Sequence, residues 1–412
     1  MRVGIVVPYS WSFWGGVVEH AEGQARALAE LGVESRILIG HDPPGRLSRM
    51  LHPTAGRFER LPPHVVPLGR SVIAPANHSL ANIVLSPSAV GRLRRALARE
   101  RFDLLHVHEP MTPAIGVAAL AYARTPIVAT FHASGHSRWR ALGLPLWGFL
   151  LDRVDVRIAV SEPAADTARA YAPGDYTLIP NGVSVPPRAS LDGRAQQILF
   201  VGRHESRKGL SVLLRAWPAV HRRTGLRLRI VGADPLAVRH LLRRLHVSSS
   251  GIDVLGVVSA DELDRELARA KLLVAPSLRS ESFGMILIRA FAAATPVVAS
   301  DIDGYRHVVD EGAGVLVPPG DEHALGTAIA ELVSDESGRR ARGARARLIA
   351  EREYGWPRIA RDLCAVYRQL LDDPSPRGIV QPRRADRAPE RAPNGAVVGR
   401  SSSTPSRVDL TT

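Results

Sequence analysis

Apolar and polar positions along this chain alternate between two periods. RVGIVV (2–7) is a short, almost unbroken apolar run, the pattern of a strand buried on both faces. After Gly15 and Gly16, EHAEGQARALAELG carries its apolar residues at helical spacing. Further apolar runs follow at SRILI, FDLLHVH, TPIVATF, VDVRIAV and YTLIP, with helical stretches between most of them. The second half repeats the scheme. QQILFVG leads through a turn to the helix LSVLLRAWPAVHRR, and LRLRIVG, IDVLG, AKLLVAP, TPVVAS and GVLVPP come after it. Short apolar strands alternating with amphipathic helices predict parallel sheets covered by helices on both faces. The expected fold class is therefore α/β: two Rossmann-like doubly wound domains facing across a cleft.

The Pro-, Gly- and Ser-rich stretch 180–197 marks the boundary. It gives a first domain over 1–185 and a second over 186–355. The helical pattern WPRIARDLCAVYRQLLDD, over 356–373, is placed to cross back to the first domain. Residues 374–412 are rich in Pro, Arg, Ser and Gly and are expected to be disordered.

Composition narrows the class. Hydrophobic residues make up 45% of the 412 residues and charged residues 23%, as in a soluble globular protein. The single cysteine, Cys364, excludes an intramolecular disulfide framework and fits a reducing compartment. No apolar run reaches membrane-span length, and the chain opens as a strand, so no leader is expected. The net charge is +14. A basic surface attracts nucleic acid, anionic lipid or phosphorylated ligands, although arginine bias alone also produces it. Of 54 basic residues only two are lysines, Lys208 and Lys271.

Open α/β sheets bind ligands at the carboxyl ends of their strands, and the polar residues of interest follow strands. In GRHESRKGL (202–210), Arg203 and Lys208 stand where the chain turns into a helix. Two cations at a helix N-terminus make an anion site suited to a diphosphate. The plainer alternative is a solvated turn. In ESFGMIL (281–287), Glu281 precedes a glycine turn whose N–H groups, near Gly284, suit a second phosphate. A surface acid before an ordinary helix is the alternative there. His106 and His108 share one face of a strand, but no third ligand has a recognisable spacing, so structural histidines are the simpler reading. Asp301 and Asp303 form a three-residue pattern too common to imply a metal. GxGxxG after a strand, a P-loop and GxSxG are absent. VGRLRRALARERF (90–102), as a helix, sets Val90, Leu93 and Leu97 on one side and Arg92, Arg95 and Arg99 on another. That suits either an anionic membrane surface or packing on a sheet.

In combination, RVGIVVPYS with the following GGV, FDLLHVHEP, PIVATFHAS, RIAVSE, IPNGV, LFVGRHESRKG, ESFGMIL and TPVVASDIDGYRHVV resemble the retaining GT-B glycosyltransferases of family 4. Within that family the likeness is strongest to the actinobacterial phosphatidylinositol mannosyltransferases. It spans about residues 1–370. It implies a nucleotide-sugar donor, with GDP-mannose leading, held by the second domain, and an inositol-containing lipid acceptor held by the first. It implies catalytic roles for His132, Arg203, Lys208 and Glu281. Donor contacts fall to Gly16, Phe283, Gly284, Met285 and Arg289 besides these, and acceptor contacts to Tyr9, Asn77, Ser79 and His132. No cofactor, metal or nucleic acid is expected. The enzyme would sit peripherally on the cytoplasmic face of the cell membrane, touching anionic lipid through residues 90–102. Transfer of another hexose or N-acetylglucosamine to an inositol phosphate or other lipid is the alternative, as is a catalytically weakened homologue acting as a binding protein. The chain departs from the family twice. Arg289 stands where a second glutamate is expected, leaving it to meet a hydroxyl or pair with Glu281. Asn82 and Val84 stand where arginines are expected.

Overall fold

The computed structural model describes residues 1–13, 15–46, 48, 61–76, 79–133, 144–189, 191, 193–279, 281–309 and 312–373. The tail beyond 373 and Asn77 lie outside the described residues.

Two sheets form, one from each half. The first takes β1 (Arg2–Ser10), β2 (Glu34–Gly40), β3 (Val65–Pro67), β4 (Val72–Ala76), β5 (Ser79–Ile83), β6 (Leu104–His108), β7 (Ile127–Phe131), β8 (Val156–Ala159) and β9 (Thr177–Leu178). Its parallel path runs β3-β2-β1-β6-β7-β8-β9. The second takes β10 (Gln197–Val201), β11 (Arg227–Val231), β12 (Ile252–Gly256), β13 (Leu273–Ala275), β14 (Val297–Ser300) and β15 (Gly314–Val317). All its pairs are parallel, in the order β12-β11-β10-β13-β14-β15. Order reverses beside β1 in one sheet and beside β10 in the other. These are the switch points where a crevice opens at the carboxyl edge.

Two details differ from the sequence expectation. VIAPA and SLANI pair antiparallel as β4 and β5, and β5 returns to β1 at Tyr9↔Ile83. Their connection is too short for a parallel crossover, which fixes the direction. Their short mixed pattern carries neither period clearly. The basic helix runs Pro87–Arg99 rather than 90–102, because Ser86 Oγ caps Ala89 N and Pro87 takes the first helical position. Leu93 is buried and Arg95 and Arg99 are exposed.

The helix Trp356–Asp372 packs on the first sheet, with Trp356, Ile359, Leu363, Val366 and Tyr367 in one core with Val3, Ile5 and Ile37. Its indole is seated against Gly23 and Gly182, where any Cβ would overlap the ring. Tyr367 also reaches a polar core. Its hydroxyl lies 2.5 Å from His106 Nδ1, and Gln24 Nε2 donates to it at 2.8 Å. His106 Nε2 meets Thr130 Oγ1 at 2.6 Å. The His108 ring stacks on His106 with centroids 4.7 Å apart, and His108 Nδ1 lies 2.8 Å from His132 Nε2. His20 stands edge-on to His108 and His132 at 5.5 and 5.2 Å. Period-two placement on β6 puts both its histidines on one face, as HVH predicts.

Burial holds all four rings neutral. It lowers His106 to about 3 and His132 to about 4, the latter despite the opposing pull of Glu109 and Asn181. His20 and His108 are also pushed far down, first by burial and then by the neighbouring rings. An unfolded chain therefore binds protons on these groups below pH ~6.5 that the folded chain refuses. Stability is present above that pH and lost as pH falls toward the folded values. At pH 5, His106 and His132 should each cost on the order of 2 kcal/mol of stability. The melting temperature should thus drop sharply between pH 7 and pH 5, as differential scanning calorimetry would show. A flat profile would mean that the cluster is not buried and neutral.

Candidate active site

The second sheet's switch point is bounded by the loops after β10 and β13. The first loop, GRHESRKG, ends in a single 3-10 turn, Ser206–Lys208, and Gly209 then starts the helix Leu210–Thr224. Gly209 has φ 69°, and a Cβ there would overlap the Pro276 carbonyl. Only glycine lets the two loops approach this closely. Leu278 N donates to Arg207 O at 2.7 Å, which ties the loops together.

Glu281 is the centre of the site. Its Oε1 lies 2.6 Å from Lys208 Nζ and 2.6 Å from Arg207 Nη1. Ser277 Oγ donates weakly to the same oxygen at 3.5 Å and pairs with Tyr305 Oη at 2.9 Å. Arg207 continues to Glu205 Oε2 at 2.8 Å, and Arg203 meets Glu205 Oε1 at 2.9 Å. Arg203 is the most exposed member at 56%, whereas Lys208 and Glu281 are 20% and 12% exposed. Three cations thus face two carboxylates, which leaves the cluster cationic. An ammonium has three donors, so Lys208 can keep Glu281 and still offer a proton to an incoming anion. Gly284, with φ 82°, opens the helix Met285–Ala292 beside this cluster. Gly304 lies directly against the Glu281 backbone, where a Cβ would overlap its carbonyl.

The first half contributes from its own carboxyl edge. Tyr9 is half-buried near the end of β1, and Gly16 begins the helix Gly16–Glu30. A Cβ on Gly16 would come within 3.7 Å of Met285 Cγ, so the expected donor-loop glycine and the Gly284 turn face one another. Glu109, after β6, adopts φ 49° and accepts from His132 N at 2.8 Å and Ala133 N at 2.7 Å. A left-handed non-glycine residue stores strain and recurs at functional sites. His132 is buried and neutral, and its ring is directed into the histidine cluster through Nε2.

The halves touch at this edge. Ser161 Oγ donates to Ser282 O at 2.5 Å. Arg289 does not pair with Glu281. Its Nε meets Asp264 Oδ1 at 2.7 Å, its Nη2 donates to Ala260 O at 3.0 Å, and its Nη1 meets Glu19 Oε1 at 3.1 Å, across on the first half. These acceptors hold the guanidinium firmly charged against the opposing effect of burial. Glu281 is instead taken by Lys208 and Arg207, which are anchored by the glycine-enforced loop contact. Phe283 is buried, with its ring edge-on to Tyr354 at 5.6 Å.

The remaining expected residues separate. Ser79 opens β5, while Asn77 lies outside the described residues. Val84 is fully buried in the first half's core, and Asn82 is half-buried with its Oδ1 unpartnered among the described residues. Asp301 and Asp303 both pair with Arg306, at 2.7 and 3.0 Å. Among the described residues no group of three His, Cys, Asp or Glu side chains is arranged to hold a metal. The sequence reading missed Arg207, Glu19 and Asp264. Arg207 stands next to Lys208, but in an arginine-rich chain it carries no compositional signal.

Comparison with known proteins bears on the family and the fold. A model described as Glycosyltransferase Family 4 matches residues 14–185, and one described as Glycosyl transferases group 1 matches 195–335. The phosphatidyl-myo-inositol mannosyltransferase of Mycobacterium leprae is 36% identical over 384 residues, which cover 89% of this chain and 96% of that one. The enzyme of the same name from Propionibacterium freudenreichii is 32% identical over 382 residues, covering 89% and 94%. The solved structure of sucrose-phosphate synthase from Thermosynechococcus elongatus superposes with a TM-score of 0.70 at 21% identity, covering 90% of this chain and 99% of that one. With its paired parallel sheets, its switch-point carboxylate and relatives above 30% identity over nearly their whole length, this chain belongs to glycosyltransferase family 4 and has the GT-B fold.

Proposed function

We propose that the protein transfers mannose from GDP-mannose to phosphatidylinositol, with retention and without a metal ion, at the cytoplasmic face of a membrane. The observation that carries this reading is the Glu281–Lys208–Arg207 cluster at the second sheet's switch point. Lys208 and Arg203 receive the donor diphosphate. Glu281 accepts hydrogen bonds from the sugar hydroxyls, and the N–H groups at the head of the helix Met285–Ala292 add to the phosphate seat. The anomeric carbon's bond to phosphate breaks on the face where the acceptor oxygen arrives. The acceptor's hydroxyl proton passes to the departing phosphate oxygen. Fixed cations aimed at that oxygen stabilise the charge as it develops. His132, neutral and held by His108, supplies a rigid wall rather than a titrating group.

The similarity to phosphatidyl-myo-inositol mannosyltransferases supports the mannosyl and inositol-lipid assignment. A second reading rests on Arg289. Its guanidinium is fully engaged with Asp264, Ala260 and Glu19, so no carboxylate is offered to the ribose at that position. That substitution favours a donor other than GDP-mannose; the alternative acceptors are an inositol phosphate or another lipid. A panel of nucleotide sugars, tested with phosphatidylinositol vesicles and with soluble inositol phosphate, separates the two. Among the described residues no helix is long and apolar enough to cross a membrane, and the basic helix Pro87–Arg99 is proposed as the surface contact.

Two outcomes are expected. Lys208→Ala should lower turnover about 100- to 1000-fold, the usual loss of about 2.7–4 kcal/mol when one transition-state charge contact is removed. Steady-state kinetics at saturating donor measure this, and a fully active variant would refute the diphosphate role. Replacing the exposed Arg95 and Arg99 by Ser should weaken sedimentation with anionic vesicles by about thirtyfold at low salt, at about 1 kcal/mol for each charge. The loss should shrink as salt screens the attraction. Unaltered sedimentation would remove this helix from the membrane contact.

A further inference from the structure

Lys271, the other lysine of the chain, belongs to a second cationic group at the opposite edge of the second sheet. It stands at the amino end of β13, whereas the loop bearing Glu281 leaves the carboxyl end of the same strand. Its backbone is fixed there, because Lys271 N donates to Gln197 O at 2.9 Å. Lys271, Arg194, Arg339 and Arg340 line one narrow crevice with Leu191 and Pro296. The four cations come from three separate segments: the stretch between the two halves, the start of β13 and the helix Glu336–Ile349. The crevice has no room for a water molecule inside it, so a ligand can only lie across its mouth.

Two of these cations form a rigid floor. Arg194 Nη1 donates to Ala270 O at 2.8 Å and Thr295 Oγ1 at 2.7 Å, and its Nη2 to Ala293 O at 2.8 Å and Ala294 O at 2.9 Å. These carbonyls lie at the ends of the helices Ala260–Arg269 and Met285–Ala292. Arg339 is only 6% exposed, and its Nη1 donates to Val333 O at 3.1 Å. The other two cations reach the surface. Arg340 is exposed, with Nε 3.4 Å from Glu336 Oε1. Lys271 is half-buried, and no oxygen among the described residues accepts from its Nζ or pairs with it. Lysine has three donors and no acceptor, so this ammonium is satisfied from outside the protein.

The cations also oppose one another. Burial and then the charge of Arg339 push Lys271 down, and the same two causes lower Arg194 to about 10. Like charges held this close disfavour each other, and an anion at the mouth relieves the repulsion. A carboxylate of the protein does this for Lys208 in the catalytic cluster, where Glu281 is 2.6 Å away. Nothing among the described residues does it for Lys271.

We infer that the crevice is the floor of a phosphate-binding site. A phosphate group, free or carried on a small soluble molecule, lies across the mouth between Lys271 Nζ and the Arg340 guanidinium, over Arg194 and Arg339. The arginine edge suits two phosphate oxygens and the ammonium a third. The site lies at the far edge of the sheet from the donor cleft and does not depend on the function proposed above.

Calorimetric titration of the full chain with inorganic phosphate, in a phosphate-free buffer of low salt, tests this. The Lys208→Ala variant is titrated alongside, because the cleft also offers cations to phosphate. Binding should persist in Lys208→Ala. Adding Lys271→Gln to that variant should weaken it at least about tenfold, the usual effect of losing a hydrogen bond to a charged group. Arg340→Gln should act in the same direction, and Lys271→Arg, which keeps the charge, should retain most of the binding. Without phosphate, Lys271→Gln should melt no lower than the parent, since it removes a repelled charge. A lower melting temperature would mark Lys271 as a structural residue and count against the site. Glycerol phosphate separates the two sources of the ligand. Tighter binding than inorganic phosphate supports the site as one for a phosphorylated molecule, and weaker binding supports it as one for free phosphate. No binding in Lys208→Ala, or binding that Lys271→Gln leaves unchanged, overturns the inference. Titration of the wild type with the nucleoside diphosphate reads the cleft separately, so either site can fail while the other stands.

Discussion

The site depends on one carboxylate oxygen shared by two cations. Glu281 Oε1 is 2.6 Å from both Lys208 Nζ and Arg207 Nη1, and the two loops it joins come from strands that are neighbours in space but lie over 70 residues apart in the chain. A partly buried acid so held is fixed in direction, which is the preorganisation that charge stabilisation in a transition state requires. The rest of the second half is arranged to permit it. Gly209 allows the first loop to press on Pro276, Gly304 allows a neighbouring helix to press on Glu281, and Gly284 turns the chain into the helix beyond. Each of these positions excludes a side chain for a stated steric reason.

Much of this was legible in the sequence, for physical reasons. The strands of the second sheet are legible as short, mainly apolar runs between amphipathic helices, because a parallel strand covered on both faces is mostly apolar. Lys208 stood out because lysine is almost absent from the chain. What was not legible is non-local or hidden by bias. Arg207 is one arginine among many, so nothing marked it as Glu281's second partner. The contact of Arg289 with Glu19 joins residues 270 apart, and no local rule reaches that far. The β4–β5 hairpin is short and mixed in pattern, and its direction follows from the length of its connection rather than from its residues.

The two halves communicate through a few defined contacts. Arg289 and Ser161 bridge the cleft edge. The helix Trp356–Asp372 carries the chain's last described segment back onto the first sheet, where Tyr367 and Gln24 fix His106 and the stacked rings extend to His132. The histidine wall of the first half is thus held by a helix that follows the second half in sequence. Arg289, in the helix that the Gly284 turn opens, links the halves by charge.

The account stands on donor transfer by fixed cations in this cleft. Its most direct test is nuclear magnetic resonance of GDP-mannose mixed with the protein and phosphatidylinositol vesicles in the presence of a chelator. The account predicts a mannosylated lipid with the same anomeric configuration as the donor, formed at the same rate with and without chelator. An inverted product, or transfer that stops when divalent ions are removed, would contradict it.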